Sequence, residues 1–468
     1  MMDKYSQEEE KKNSAEIKTF GVPFDLGGIK ESLTINTNTP TEHPKEQIIN
    51  QALKSHSQGK ISEAEKYYQS FIDQGFKDDR IFANYGEILK DNGKLDEAAK
   101  NLKEAIELNP QNSNAHKNLG NVFIQFGQLD KAKQETEIAI ELKPDFAEAH
   151  SNMGVILKHL GKLKEAELST RKAIELKPDL AIGYCNLGVF LIGRNKLQEA
   201  ERSLKKGIEL NFADAAWNYY SLSNSIEEAE GILKQCLKID QNHLEAALTL
   251  SALKLHQGDQ SLFQKFINSS HKDHPYIRSF KWVLTLPKLP KLFFHRWALF
   301  DYVINKSKKD RPFYEFGVWR GESFKYLINT FKKGYGFDTF DGLPEDWHHE
   351  KQGKYSADGV IPKIEGGTFI AGKFEDALPS FFSKPRPLAS IINFDADLYS
   401  STLCALNYSK SVIDKDTILI FDEFIINNNW EQDEYKALNE FCSDNNFSYE
   451  VLAISYMSKQ VAVKIIGF

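Results

Sequence analysis

Cysteine is scarce in this chain, with four residues in 468. Cys185, Cys236, Cys404 and Cys442 fall at no metal-ligand or redox spacing and are too few for a disulfide scaffold, so a reducing, cytoplasmic compartment is expected. Long hydrophobic runs are missing too. The longest candidate, Thr417 to Ile426, is interrupted by Asp422 and Glu423 and falls short of the ~18–20 apolar residues that cross a bilayer, so no membrane span is expected. The opening MMDKYSQEEEKKN lacks the apolar stretch of a secretory signal. Neither sign of charge dominates: 59 Lys and Arg are interspersed with 66 Asp and Glu, which argues against a nucleic-acid partner. What is present is ample apolar surface, 41% hydrophobic residues, enough for two to four folding units at roughly 150 residues each.

Residues 1–44 pass from an acidic-basic run through Gly-rich and Thr/Asn/Pro-rich stretches, and read as a mostly disordered tail. The run Phe20 to Leu26 is the one part suited to docking on a neighbouring surface. From there a repeat takes over. Gly86, Gly120, Gly154 and Gly188 are spaced by 34 residues, as are Gly59, Gly93, Gly127 and Gly161. Ala64, Ala98, Ala132, Ala166 and Ala200 keep the same period, and Pro110, Pro144 and Pro178 mark the unit ends. Each unit reads as two helices: the first glycine lets them approach, and the second ends helix A with a left-handed residue. This pattern resembles the tetratricopeptide repeat (TPR) family, with five units over 45–212 forming an all-α solenoid. In the fifth unit Phe212 replaces the proline and Asn195 the turn glycine. Residues 213–285 still read as helices but lose the period, and are expected to form a degenerate cap and connector.

From 286 to 468 the pattern changes. A lead-in helix in FFHRWALFDYVINKS is followed by β-rich runs (FYEFGV, YGFDTF, TFIAG, LASIINFD, TILIFDE, SYEVLAI, QVAVKII) alternating with helical ones. Alternation implies a mostly parallel sheet covered on both faces. The last two strands are joined only by SYMSK, so they form an antiparallel hairpin. Seven strands ending in a reversed hairpin is the order of class I methyltransferases, an α/β Rossmann-like fold. The first strand ends in Glu315, Gly317, Gly321 and Ser323 and runs into a helix, which brings a backbone loop and an acid to a ligand. Without a third glycine a pyrophosphate cradle is not expected, and a tight strand-to-helix turn is the plain alternative. The second strand closes at Asp338, placed for a ribose diol.

The run EFGVWRGES…YGFDTFDGLPEDW resembles the macrocin O-methyltransferase family over roughly residues 312–466. That resemblance implies methyl transfer from S-adenosyl-L-methionine to a hydroxyl, commonly on a sugar, with a divalent metal. Independently, Asp395 and Asp397 end one strand and Asp422 and Glu423 another, and adjacent strand ends lie about 5 Å apart. Clustered carboxylates repel unless a cation or shared proton relieves them, and Mg²⁺ is the simplest relief. By the family's motifs Asp395, Asp422 and Glu423 would ligate the metal and Asp397 would be the general base. Family members usually carry two aspartates where this chain has Asp422-Glu423, which bears on metal preference. A helix-capping Asp397 and a solvent-facing Glu423 are the plain alternative.

Phe374 and Glu375 follow the third strand, where adenine would be contacted, though Glu375 also suits a helix N-terminus. His348 and His349 lie in the insert 341–366, read as a lid, with Trp347 as its anchor or acceptor contact. In the repeats Asn50, Asn84, Asn118, Asn152 and Asn186 recur every 34 residues, and their amides match a peptide backbone. In that respect this half looks like the repeats of O-linked N-acetylglucosamine transferase. The resulting expectation is a multidomain chain whose solenoid selects a protein or peptide partner. Its second half would methylate a hydroxyl of a saccharide or glycoconjugate. A scaffold with an inactive methyltransferase-like domain, and an enzyme acting on small catechol-like diols, are the rivals.

Overall fold

The computed structural model describes residues 44–348, 350 and 352–467. The tail, with Phe20 to Leu26, lies outside the described residues apart from Pro44, and so does His349. The chain divides after Phe212 into two compact units.

Among the described residues the first unit contains ten helices in five pairs: α1 (Pro44–Ser57) with α2 (Ile61–Asp73), α3 (Asp79–Asp91) with α4 (Leu95–Leu108), α5 (Ser113–Gln125) with α6 (Leu129–Leu142), α7 (Ala147–His159) with α8 (Leu163–Leu176), and α9 (Ala181–Gly193) with α10 (Leu197–Glu209). The two glycine series do separate work. A Cβ on Gly86 or Gly120 would come within 2.7 Å of Leu102 Cγ or 2.6 Å of Thr136 Oγ1 on the paired helix, and Gly154 and Gly188 are tighter still. The second series ends helix A at φ of 70–75°, and Asn195 takes the same left-handed role at φ 56°.

The second unit opens with five helices, α11 (Ala213–Tyr219), α12 (Ile226–Ile239), α13 (Leu244–His256), α14 (Ser261–Ile267) and α15 (Pro275–Thr285). These belong with the sheet rather than serving as a cap apart from it. His256 meets the Tyr456 hydroxyl at 2.9 Å, and Trp282 of α15 packs its ring against Phe424, Trp430 and Tyr435. The aromatic face of α15 explains the lost period: its Trp282 ring packs on residues 424–435 of the sheet-bearing part of the chain, not on a preceding repeat.

All seven expected strands are present, with one more at the edge. They are β1 (Lys291–Phe293), β2 (Phe313–Phe316), β3 (Gly334–Asp338), β4 (Gly367–Ala371), β5 (Ile391–Phe394), β6 (Ile418–Phe421), β7 (Ser448–Ser455) and β8 (Val461–Ile466), in the order β1-β7-β8-β6-β5-β2-β3-β4. β8 runs antiparallel to β6 and β7, as the short connector requires, and every other pairing is parallel. The extra strand escaped the sequence because three residues, KLF, show no periodicity. Helices α16 (Arg296–Lys306), α17 (Glu322–Phe331), α18 (Phe374–Phe382), α19 (Tyr399–Ser409) and α20 (Glu434–Asp444) fill the connections.

Across β3, β2, β5 and β6 the last phenylalanines pair in register: Phe337 with Phe316, Phe316 with Phe394, Phe394 with Phe421. Their rings stack at centroid distances of 4.8, 5.4 and 4.9 Å, nearly parallel, and all four are fully buried. Each is followed at once by a residue of interest: Asp338, Gly317, Asp395 and Asp422. Phe394→Ala, at the middle of this ladder, removes two stacked contacts and is expected to destabilise the second unit by about 3–5 kcal/mol. All six tryptophans lie beyond residue 212. Tryptophan fluorescence during urea unfolding therefore reports that unit alone, and an unchanged midpoint would remove the ladder from any structural role.

Candidate active site

From β2 the chain steps outward through β3 to β4, and later through β5 to β6 on the other side. The carboxyl ends of β2 and β5 thus flank a topological switch point, the place where open α/β sheets leave a crevice for ligands. Gly317 lies at that point with φ 89°, and any Cβ there would run into the Asp395 carbonyl. Its glycine is required by the approach of two strands, rather than by a ligand alone as the motif suggested. Gly321, at φ 77°, precedes the first turn of α17.

Glu315, in the fully buried β2, takes a 2.5 Å hydrogen bond from the Ser323 hydroxyl on one oxygen, while Oε2 has no partner. Beside it in register on β5, Asn393 is buried with both amide atoms unpartnered. Burial pushes the Glu315 carboxyl up to about 8, outweighing the Ser323 hydrogen bond and the Arg296 charge. Asp338 accepts three backbone N–H groups, from Val318 and Trp319 at 2.7 Å and from Phe340 at 2.6 Å. Of about four acceptor positions on a carboxylate, one is left open, so Asp338 both pins the β2 loop and can take one hydroxyl.

Asp397 sits just past β5 in the left-handed region at φ 59°. Its carboxyl is raised well above the usual range by burial, then by Glu423 and Asp422; Asp395 is raised by burial and Asp422. Asp422 thus lies within Coulombic reach of both Asp395 and Asp397, and Glu423 within reach of Asp397. Asp422, however, receives Arg296 from the start of α16 together with Gln460. Glu423 receives the Asn427 amide at 2.6 Å, and Lys459 Nζ stands 3.7 Å away. Among the described residues no group of three or more His, Cys, Asp or Glu is arranged to hold a metal ion. Two of the three residues expected to hold Mg²⁺, Asp422 and Glu423, are thus bonded to the chain's own donors.

Some expected residues stand apart. Phe374 is buried edge-on against Phe316, and Glu375 is exposed, 4.0 Å from Lys373. In the insert Trp347 packs with Leu343 and Leu398, so it anchors the loop, and His348 meets Asp433 at 2.9 Å. Residues the sequence did not single out include Arg296, Lys459, Tyr355 and Glu434. Glu434 is fully buried with Oε1 unpartnered, and its carboxyl is raised by burial and by Asp422 and Asp397. Nothing in the sequence marks Glu434, since an acid in the first turn of a helix is ordinarily exposed there. In the repeats, Asn84, Asn118, Asn152 and Asn186 are all buried, whereas Asn50 is exposed. Asn118 donates to Glu87 at 3.5 Å and Asn186 to Ser151 at 3.2 Å, each on the preceding unit. These two bonds join neighbouring helix A segments, while Asn118 Oδ1, Asn152 Nδ2 and Asn186 Oδ1 keep no hydrogen-bond partner.

Tetratricopeptide repeats match residues 57–113, 89–156, 147–180 and 181–214. This stretch is a TPR solenoid, an architecture of protein-interaction scaffolds. No curated protein matches the chain. Similar solved structures include MamA, 21% identical over 36% of this chain and 91% of that one at a TM-score of 0.30. YrrB, described as a TPR protein with an unusual peptide-binding site, is 22% identical over 41% of this chain and 97% of that one, at 0.29. The Cut9–Hcn1 hetero-tetramer of the APC/C is 19% identical over 45% and 44%, at 0.41. No helix among the described residues is long and apolar enough to cross a membrane.

The raised Glu315 carboxyl has a pH consequence. Ordinarily it titrates near 4.5, so the folded state binds the extra proton between 4.5 and about 8. Its contribution to stability is present at low pH and lost as pH rises through about 8. Glu315→Gln is expected to flatten the fall in melting temperature between pH 5 and pH 9, and parallel wild-type and variant curves would contradict this.

Proposed function

We propose that the second unit is an S-adenosyl-L-methionine-dependent O-methyltransferase of the class I fold. It acts on a hydroxyl of a saccharide or glycoconjugate, and the repeats recruit the protein or peptide partner that brings the acceptor. The observation that carries the reading is the row Gly317, Asp338, Asp395 and Asp422 at one switch point, with the orphaned oxygen of Glu315 beneath it. The reversed hairpin at the end of the sheet supports the same fold.

The residues present fit the cofactor. Glu315 Oε2 is a buried polar atom without a partner, and Asp338 keeps one acceptor position for a ribose hydroxyl. When bound, S-adenosyl-L-methionine supplies an electrophilic sulfonium methyl. Asp397 takes the proton of the acceptor hydroxyl as the oxygen–carbon bond forms and the sulfur–carbon bond breaks. Burial and the neighbouring acids hold its carboxyl above the usual range, which makes it a stronger base than a solvent-exposed aspartate. The insert closes the crevice through Ser400–Glu345 and Trp319–Ser356, and the Tyr355 hydroxyl is raised by burial, then by the charges of Glu350, Asp397 and Glu423. A closed crevice keeps water from competing with the acceptor.

The scaffold reading is favoured by the matched repeats and by the Glu at position 423, and it differs only in the chemistry of the second unit. Calorimetric titration of the full chain with S-adenosyl-L-methionine and S-adenosylhomocysteine separates the two. Stoichiometric micromolar binding is expected; no heat and no thermal shift at millimolar ligand would leave the scaffold. Once a sugar acceptor is found by screening, Asp397→Asn is expected to lower kcat about 10²–10⁴-fold while the cofactor Kd stays within twofold. Turnover at the wild-type rate would remove Asp397 as the base.

A further inference from the structure

Four carboxylates, Asp395, Asp397, Asp422 and Glu423, meet at the ends of β5 and β6, and uncompensated they would repel strongly. A divalent ion is one relief, yet the structure provides another. Arg296 occupies the first position of α16, directly after the edge segment that carries β1, and its guanidinium donates to Asp422 Oδ1. From there it lies within Coulombic reach of Asp395 and Glu315 as well. On the other flank Lys459, in the connector between β7 and β8, faces Glu423 and donates to Asn427 at 2.6 Å, and Asn427 in turn holds Glu423. Two monovalent cations bring the same two positive charges as one divalent ion, and neither guanidinium nor ammonium leaves an open coordination position. The acid Oδ1 of Asp422 is further claimed by Gln460.

We propose that Arg296, with Lys459, is a built-in counter-ion that takes the place of a divalent metal at this crevice, so that the site works without one. The proposal rests on the methyltransferase reading only in treating the crevice as the reaction site. Arg296 is always charged near neutral pH and presents a planar fork of donors, so it holds a carboxylate without release on any change of metal supply. Its guanidinium also offsets part of the negative charge of these acids, which eases the developing alkoxide as the hydroxyl proton leaves. In this arrangement the longer arm of Glu423 has a purpose: it reaches Asn427 and Lys459 rather than an ion shared with Asp395.

The test is Mn²⁺ binding to the full chain, read by the loss of the free-ion paramagnetic resonance signal in the absence of cofactor and acceptor. Wild type is expected to bind no stoichiometric Mn²⁺ up to about 1 mM. Arg296→Met, which bares Asp395 and Asp422, is expected to bind Mn²⁺ at least tenfold more tightly, and Arg296→Lys, which keeps the charge, is expected to resemble wild type. Stoichiometric micromolar binding to wild type overturns the proposal, as does an Arg296→Met variant that is folded by tryptophan fluorescence but binds no more tightly. Should Arg296→Met fail to fold, Lys459→Met is measured the same way, with a gain in Mn²⁺ binding supporting the proposal and no gain opposing it. Because the readout needs no cofactor, failure of S-adenosyl-L-methionine binding and failure of this proposal are separate results.

Discussion

The stack of Phe337, Phe316, Phe394 and Phe421 across four parallel strands is the constraint on which the second unit depends. A shift of one residue in any of these strands would turn its side chains to the opposite face of the sheet. Flat, fully buried rings in register make that slip costly, since each stacked pair contributes about 0.5–1.5 kcal/mol beyond the area it buries. The register in turn brings the next residues into one row. Gly317 leaves room for the Asp395 carbonyl, Asp338 collects the amides of the β2 loop, and Asp422 meets Arg296. Packing thus precedes chemistry here: the acids are adjacent because the phenylalanines are.

Holding so many carboxylates together requires compensation, and the unit draws it from distant parts of its sequence. Arg296 lies 126 residues before its partner Asp422, and Lys459 lies in the terminal hairpin. The helices before the sheet contribute as well. Arg278 of α15 pairs with Glu431 at 2.7 Å, and Ser279 takes the Ile426 N–H at 2.9 Å, so α15 braces the loop that follows Glu423. This is why residues 213–285 follow the sheet and not the repeat period.

Much of this was legible in the sequence. The 34-residue period assigned both glycine series their roles, and Asn195 did take the left-handed turn in place of glycine. All seven alternating runs became strands, since a buried parallel strand is a continuous apolar run that sequence displays openly. What was not legible depends on partners far apart in the chain. No local pattern reveals that Arg296 reaches Asp422, that Glu434 is buried at the start of α20, or that Gly317 is needed by a neighbouring strand. Nor does spacing show whether Asn118 and Asn186 face a groove or the preceding unit. Periodicity gives the face of a helix, and only packing decides what covers it.

A cofactor crevice at the carboxyl ends of β2, β3 and β5 predicts a local footprint in hydrogen–deuterium exchange of the full chain with and without S-adenosylhomocysteine. Protection confined to residues 315–323, 338–341 and 395–399, with the repeats unaffected, is the predicted result. Protection absent from all three segments, at a ligand concentration that saturates the protein, would contradict it.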